Sequence, residues 1–321
     1  MKDSNLNKLK KLSNVVVDTG DFVLIKQFNP SDATTNPSLI LKSVKDDKYK
    51  SILKDSVANI KSSNKYSNED DLVKYITIDI LARFGTKILE IIDGKVSSEV
   101  DARLSFDIEK TVEYAKDIIC QYSQYNVSKE NILIKIAATW EGIKAAEILQ
   151  KEGINCNLTL IFDKSQAQAC ADANVYLISP FVGRITDWQI AEYGLKSFPS
   201  SNEDLGVLSV KEIYNVYKKQ GSNTIVMGAS FRNTGQILAL AGCDALTIAP
   251  PLLTELDNMT GNIDAHLKYL GEITSPSHKL SQKYFRWSMN ENKMATAKLS
   301  DGIRAFANDT VELEKIIKQN I

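Results

Sequence analysis

The sequence predicts a single α/β domain closed into a (β/α)8 (TIM) barrel, with additional helices at its N- and C-terminal ends. Three observations lead there. Eight short strand-like segments can be counted along the chain, and most are followed by a stretch with helical spacing or a helix-capping residue. In the second half, strand starts at Ile132, Ile154, Val175, Thr224 and Ala245 lie 22, 21, 49 and 21 residues apart. A spacing of 21–22 residues accommodates one strand, one capped helix and two short loops. No G-x-G-x-x-G loop follows any strand, which disfavours the open doubly wound alternative.

Residues 1–13 are polar and lysine-rich and read as a short N-terminal helix. The run 14–18 carries three valines between Asn14 and Asp18 and meets a turn at Thr19 and Gly20, giving the first strand. Residues 32–36 form a second short strand, stopped by Pro37, which suits the first position of a helix. Ile52, Leu53, Val57 and Ile60, and less cleanly Leu72, Tyr75, Ile76, Ile78, Ile80 and Leu81, recur at helical spacing through 38–92; polar residues 61–64 split that region into at least two helices. Gly94 precedes a third strand at 95–101, and a helix at 107–125 leads to the fourth, which starts at Ile132. Thr139 caps a helix reaching Glu152, with Gly153 in the position after its end. A fifth strand (154–160), a helix from Ser165 to Ala173 stopping at Asn174, and a sixth strand (175–179) follow. A longer excursion holds a loop at 198–202 and a helix at 209–220 ending near Gly221. The seventh strand is 224–230, a short helix 234–241 ends at Gly242, and the eighth strand is 245–248, after which Pro250 and Pro251 open another helix. Residues 255–321, with Tyr284, Phe285 and Trp287 and a final helix at 308–320, are expected to pack on the barrel as a helical extension. No linker interrupts the chain, so 1–321 reads as one domain.

Composition narrows the function classes. The 321 residues are 43% apolar and 25% charged, an ordinary globular balance. A net charge of −1 provides no basic field for nucleic acid or an anionic membrane. No apolar run approaches the ~20 residues of a membrane span, and residues 1–5 do not begin a signal peptide, so the expected compartment is the cytoplasm. Cys120, Cys156, Cys170 and Cys243 are widely spaced and read as free thiols. His266 and His278 are the only histidines and both fall late in the chain, which argues against a His-rich zinc site and a Ser-His-Asp triad. No metal is expected, and catalysis must run on Lys, Asp, Glu, Asn, Ser, Thr or Tyr.

The fourth strand contains an anomaly. Lys135 stands among Ile132, Leu133, Ile134, Ile136 and Ala137 with no neighbouring acid in the sequence. Such a run reads as a strand buried on both faces. A lysine there is paired, reaches water at the strand end along its apolar stem, or is kept neutral for chemistry. Burial disfavours the ammonium form, and a neutral amine attacks carbonyls to form a Schiff base.

Reactive residues of such barrels sit at the C-terminal strand ends and in the loops beyond. Those ends carry, in order, Asp18, Asn36, Glu99 with Asp101, Lys135, Asn157 with Thr159, Ser179, and Ser230 with Arg232. Turn preference accounts for Thr, Ser and Asn at strand ends, but poorly for a lysine facing carboxylates. Acting together, Lys135 would turn a ketone into an iminium, an electron sink that lets an adjacent carbon–carbon bond break. Asp18 or Glu99 would serve as base on the hydroxyl of the departing carbon. Asn36, Asn157 and Ser179 would supply donors and acceptors for sugar hydroxyls. Arg184 and Arg232, just beyond neighbouring strands, would clamp a phosphate unless surface ion pairs occupy them.

On these residues the chain resembles the transaldolase family of Schiff-base (class I) aldolases. The segments carrying the resemblance are VVVDTGD at 15–21, DATTNPSLI at 32–40, SSEVDARLS at 97–105, ILIKIAATWEG at 132–142, GINCNLTLIF at 153–162, LISPFVGR at 177–184, VMGASFRN at 226–233 and LTIAP at 246–250. They span nearly the whole chain in order. The resemblance implies transfer of a dihydroxyacetone unit from sedoheptulose 7-phosphate to glyceraldehyde 3-phosphate, giving erythrose 4-phosphate and fructose 6-phosphate in the non-oxidative pentose phosphate pathway. It implies no cofactor and a homodimer.

Carried over position by position, Lys135 would be the Schiff-base lysine and Asp18 the acid/base. Glu99 would move protons through a water held with Thr159. Asn36, Asn157 and Ser179, with Thr34 nearby, would hold the dihydroxyacetone hydroxyls, and Arg184, Ser230 and Arg232 the phosphate. Two departures from the family pattern are visible: Ala138 stands in place of a serine, and Asp163 and Lys164 in place of Ser-Phe. Phe181 occupies a position where relatives that release free dihydroxyacetone tend to carry tyrosine, so it favours transfer over hydrolysis. The alternatives are a fructose 6-phosphate aldolase-type enzyme and a non-catalytic sugar-phosphate-binding barrel.

Overall fold

The computed structural model describes residues 3–66, 68–274 and 279–321; Met1 and Lys2 of the expected N-terminal helix, and His278, lie outside them. Helix α1 (Asn5–Leu9) leads into β1 (Asn14–Asp18), α2 (Phe22–Phe28), β2 (Asp32–Thr34), α3 (Pro37–Lys45), α4 (Lys50–Ser62) and α5 (Glu69–Leu89). Then come β3 (Val96–Glu99), α6 (Ile108–Gln124), β4 (Ile132–Ala137), α7 (Trp140–Lys151), β5 (Cys156–Ile161) and α8 (Lys164–Asp172). β6 (Leu177–Pro180), α9 (Gly183–Tyr193), α10 (Leu205–Gln220), β7 (Ile225–Gly228), α11 (Thr234–Leu238), β8 (Ala245–Ile248) and α12 (Pro250–Asn258) complete the barrel units, and α13 (Gln282–Glu291) and α14 (Lys293–Lys318) end the chain.

The eight strands pair in parallel in chain order, and β8 returns to β1, closing the (β/α)8 barrel. Strand alternation divides their side chains between two cores. Val15 and Val17 point outward and join the large core under the helices, together with Ile132, Ile134, Ile136 and Leu158. Val16 belongs instead to a separate interior cluster with Leu133, Leu177, Met227 and Ala245. No helix of the described residues is long and apolar enough to cross a membrane.

Most elements follow from local chemistry. Pro37 occupies the first turn of α3 and the Asn36 side chain caps it, accepting from the Leu39 amide at 2.9 Å. Thr139 caps α7, and Gly153 adopts φ +73° beyond its end. Helices α2 and α9 are additions that the sequence spacing did not single out. The former is one short apolar stretch between Asp21 and the left-handed Asn29. The latter starts after Val182 with no side-chain cap, so nothing in its local sequence marks the start. Helix α10 begins four residues before the expected 209, where Asp204 caps it. The expected final helix 308–320 is the last part of a 26-residue helix, α14, which begins at Lys293 under the Asn292 cap.

The C-terminal helices position the site. Asp163, one of the two departures from the family pattern, caps α8 and accepts from Asn292 Nδ2 at 2.7 Å, tying the start of α14 to the loop after β5. From there α14 runs against α3, α5, β5 and α9. At Gly302 it lies close enough that an added Cβ would stand 2.6 Å from the Leu160 side chain and 3.0 Å from Arg184 Nη1. A side chain at 302 would displace the ends of the Leu160 and Arg184 side chains.

Candidate active site

At the C-terminal end of the barrel lies a cavity of about 190 Å3. It is lined by Asp18, Thr34, Asn36, Lys135, Thr159, Ser179, Phe181, Arg184, Ser230 and Arg232, all read from the sequence as site residues, and by Thr247 and Phe306, which were not. Glu99 and Asn157 lie just beneath, supporting the side chains that line it.

Register brings the central groups together. Glu99 on β3 is the cross-strand partner of Lys135 on β4, and Lys135 is the partner of Asn157 on β5. Lys135 is 5% exposed; its Nζ lies 3.3 Å from Glu99 Oε2 and donates to the Thr35 carbonyl at 3.2 Å. The acid missing from its sequence neighbourhood therefore comes from the adjacent strand. Burial holds the Glu99 carboxyl above the usual carboxylate range, with Lys135 pulling the other way. Asp101, grouped with Glu99 in the sequence, is instead held by Arg103, whose Nε lies 3.0 Å from both its oxygens.

Thr159 Oγ1 is buried with no hydrogen-bond partner, and Glu99 Oε2 has none beyond its 3.3 Å ion pair with Lys135. Buried polar groups left unmatched are costly, and their usual partners in such a place are water or substrate. Asp18 is oriented by a relay across three strands. Thr34 Oγ1 donates to Asp18 Oδ1 at 2.8 Å, and its one proton being used, the Thr247 hydroxyl donates to Thr34 at 2.7 Å. Asn157 is fully buried, donating to Ser97 Oγ at 3.1 Å and accepting from Ser179 Oγ at 2.7 Å, so it fixes Ser179 at the cavity floor.

The wall beyond the lysine is cationic and aromatic. The Arg184 guanidinium lies 5.1 Å from the Phe181 ring centre and 5.7 Å from that of Phe306, which arrives on α14. Burial, and then the charge of Arg232, weaken its hold on its proton. Among the described residues no carboxylate lies within ion-pairing distance of Arg184. Arg232 is held by Asp187, with Nη2 at 2.6 Å from Oδ2 and Nε at 3.1 Å from both oxygens. Ser230 adopts φ 61°, a left-handed conformation rare for serine and common where a loop is shaped for a ligand.

The family described as transaldolase/fructose-6-phosphate aldolase matches residues 15–317, from the first strand to the last turns of α14. The chain belongs to this family. It is 50% identical to the transaldolase of Pseudoalteromonas atlantica over 318 residues, 99% of each chain. It is 51% identical to a probable transaldolase of Drosophila melanogaster over 322 residues, covering 99% of this chain and 96% of the relative. It is 49% identical to transaldolase A of Pasteurella multocida over 316 residues, 98% of both.

For a member of the family, the residues missed in the sequence are informative. Thr247 was visible as a polar residue inside an apolar strand, but its partner Thr34 lies 213 positions away. Phe306 gave no local signal, since its place beside Arg184 depends on the path of α14.

Proposed function

We propose that this chain is a transaldolase that moves a dihydroxyacetone unit from sedoheptulose 7-phosphate to glyceraldehyde 3-phosphate through a Schiff base on Lys135. The observation that carries this reading is a buried lysine lining a polar cavity within 3.3 Å of a buried glutamate. In the neutral form, Lys135 Nζ attacks the ketose carbonyl carbon; the carbinolamine loses water and becomes an iminium. Asp18 then takes the proton of the hydroxyl on the carbon beyond the scissile bond. That bond breaks, the aldehyde leaves, and the electron pair is held as an enamine. When the acceptor aldehyde binds, the enamine carbon attacks it and Asp18 returns the proton to the new alkoxide. Glu99 and Thr159, through a water between their unmatched oxygens, carry the protons needed to lose and regain water at the lysine.

Asn36, Thr34 and Ser179, the last braced by Asn157, hold the dihydroxyacetone hydroxyls, and Arg184, Ser230 and Arg232 hold the phosphate. Phe181, packed against Phe162 at 5.5 Å, presents no hydroxyl to a water above the intermediate, which favours transfer over release of free dihydroxyacetone. The same reading makes residues 1–321 one functional domain, a cytoplasmic homodimer that needs no cofactor.

Borohydride reduction in the presence of fructose 6-phosphate, followed by peptide mass analysis, tests this. A reduced three- or six-carbon adduct on Lys135 is expected; its absence from every peptide would leave only a sugar-phosphate-binding barrel. Net release of dihydroxyacetone at the rate of substrate consumption would favour the aldolase alternative.

A further inference from the structure

Arg184 and Arg232 reach the cavity from different βα units, and two like charges do not hold one another in place. Asp187, on the same helix as Arg184, holds the Arg232 guanidinium, and behind it a buried polar cluster ties the two backbones. Gln236 is the third residue of α11, after its cap Asn233. Its Oε1 accepts the backbone amide of Arg232 at 2.8 Å, while Nε2 donates to Asp204 Oδ2 at 2.8 Å and to Thr186 Oγ1 at 2.9 Å. Asp204 Oδ1 lies 2.8 Å from the Thr186 hydroxyl and accepts the Gly206 amide at 2.9 Å as it caps α10. Gln236, Asp204 and Thr186 are all buried, at 3%, 1% and 0% exposure.

Thr186 stands two residues after Arg184 on α9, so the cluster joins the helix that bears one arginine to the loop that bears the other. The backbones are stitched at the same place: the Val182 amide donates to the Ala229 carbonyl at 2.8 Å and the Gly183 amide to that of Ser230 at 2.6 Å. Gly183 is required there, since a Cβ would collide with the Ser230 carbonyl.

A second glutamine shows what such a clamp does without this cross-link. Gln166 occupies the same third position of α8 and is equally buried. Its Oε1 accepts the Phe162 and Asp163 amides, at 2.8 and 3.0 Å, and its Nε2 donates to the Ala138 and Leu160 carbonyls. All four partners are backbone groups. Gln236 differs in that two of its partners are side chains from the elements around Arg184.

We infer that Gln236, held by Asp204 and Thr186, is a positioning residue that sets the relation of Arg184 to Arg232, and through it the preference of the site for phosphorylated over unphosphorylated sugars. This rests on the proposed phosphate role of the two arginines. Satisfied buried networks fix geometry, and a misplaced anion ligand loses affinity without altering chemistry elsewhere in the site.

The test uses Gln236→Met, which keeps length and volume but removes the amide, and compares fructose 6-phosphate with fructose in borohydride trapping on Lys135. The half-saturating concentration of fructose 6-phosphate is expected to rise about tenfold, as for loss of a buried hydrogen bond that orients a charged ligand, with that of fructose unchanged within about twofold. Inhibition of trapping by inorganic phosphate weakens in parallel. Gln166→Met, an equally buried change, leaves the ratio between the two sugars where it was. An equal shift for both sugars in Gln236→Met, or an equal change of ratio in Gln166→Met, overturns the inference. If Gln236→Met does not fold, Thr186→Val trims the same cluster and is expected to shift the ratio in the same direction by about threefold; no shift overturns it. Arg184→Met and Arg232→Met separate this from the reading beneath it. If they leave the sugar ratio intact, the phosphate clamp itself is wrong; if they abolish it while Gln236→Met does not, only the positioning role falls.

Discussion

The two ends of the barrel interior are built from the same strands and differ in almost everything else. At the N-terminal end, Val16, Leu133, Leu177, Met227 and Ala245 form a small apolar plug. Two residues further along the same inward-facing columns stand Asp18, Lys135, Ser179, Ala229 and Thr247, all lining the cavity. One pleat separates a packed layer from the one that lines the cavity. The difference teaches that burial alone does not define the site, because Leu133 and Lys135 are both 5% exposed. What separates them is that the lower cluster is itself wholly apolar, while Lys135 in the upper layer meets Glu99 and the Thr35 carbonyl and shares the cavity with Thr159.

The comparison breaks most sharply at Lys135. Lys135→Met is expected to remove borohydride trapping altogether and to leave transfer at background, while the fold persists, since methionine follows the path of the lysine stem and burial already favours the neutral form of the Glu99 carboxyl. Retained transfer would refute the assignment. Asp18→Asn keeps the shape and the Thr34 contact but removes the base. Carbon–carbon cleavage should fall by roughly 10²–10⁴, the span of general acid–base contributions, with the Schiff base still forming in a trapping assay. Equal loss of trapping and cleavage would place Asp18 at the imine step instead.

Glu99→Gln is expected to slow formation of the trapped adduct by about 10², measured as the single-turnover trapping rate. It carries a stability signature as well. A carboxyl whose folded pKa lies above its unfolded value contributes stability at low pH and loses it as the pH rises through the folded value. The stability of the variant relative to the parent should therefore improve from about pH 4 towards pH 8, in urea titrations at each pH. A difference that moves the other way would mean that Lys135, and not burial, dominates Glu99. The smallest functional effect is expected one pleat below. Leu133→Ala should destabilise the fold by about 2–5 kcal/mol in the same titrations and leave trapping on Lys135 unchanged.

Much of the barrel was legible because its signals are local. Proline at the first turn of α3, the Thr139 cap with Gly153 beyond the end, and the 21–22-residue strand spacing each depend on a few neighbouring residues. Helix α9 was not legible for the converse reason. Val182 caps nothing, because the backbone there is held by Ala229 and Ser230 on another unit. The polar strand ends were also readable, and apart from Asp101, which Arg103 holds, they line the cavity or lie just beneath it.

Amino-acid order by itself determined which side chains would reach the C-terminal ends of the strands, since alternation and strand length set that within each segment. Only closure of the barrel decided their partners. Glu99 meets Lys135 through the β3–β4 register, Thr247 meets Thr34 because β8 returns beside β1, and Phe306 meets Arg184 because α14 crosses the mouth. Those pairings join residues 36 to 213 positions apart, as for Glu99 with Lys135 and Thr34 with Thr247. Local propensity and periodicity act over a few residues, so contacts at that range are set by packing and register and become visible only in the folded chain.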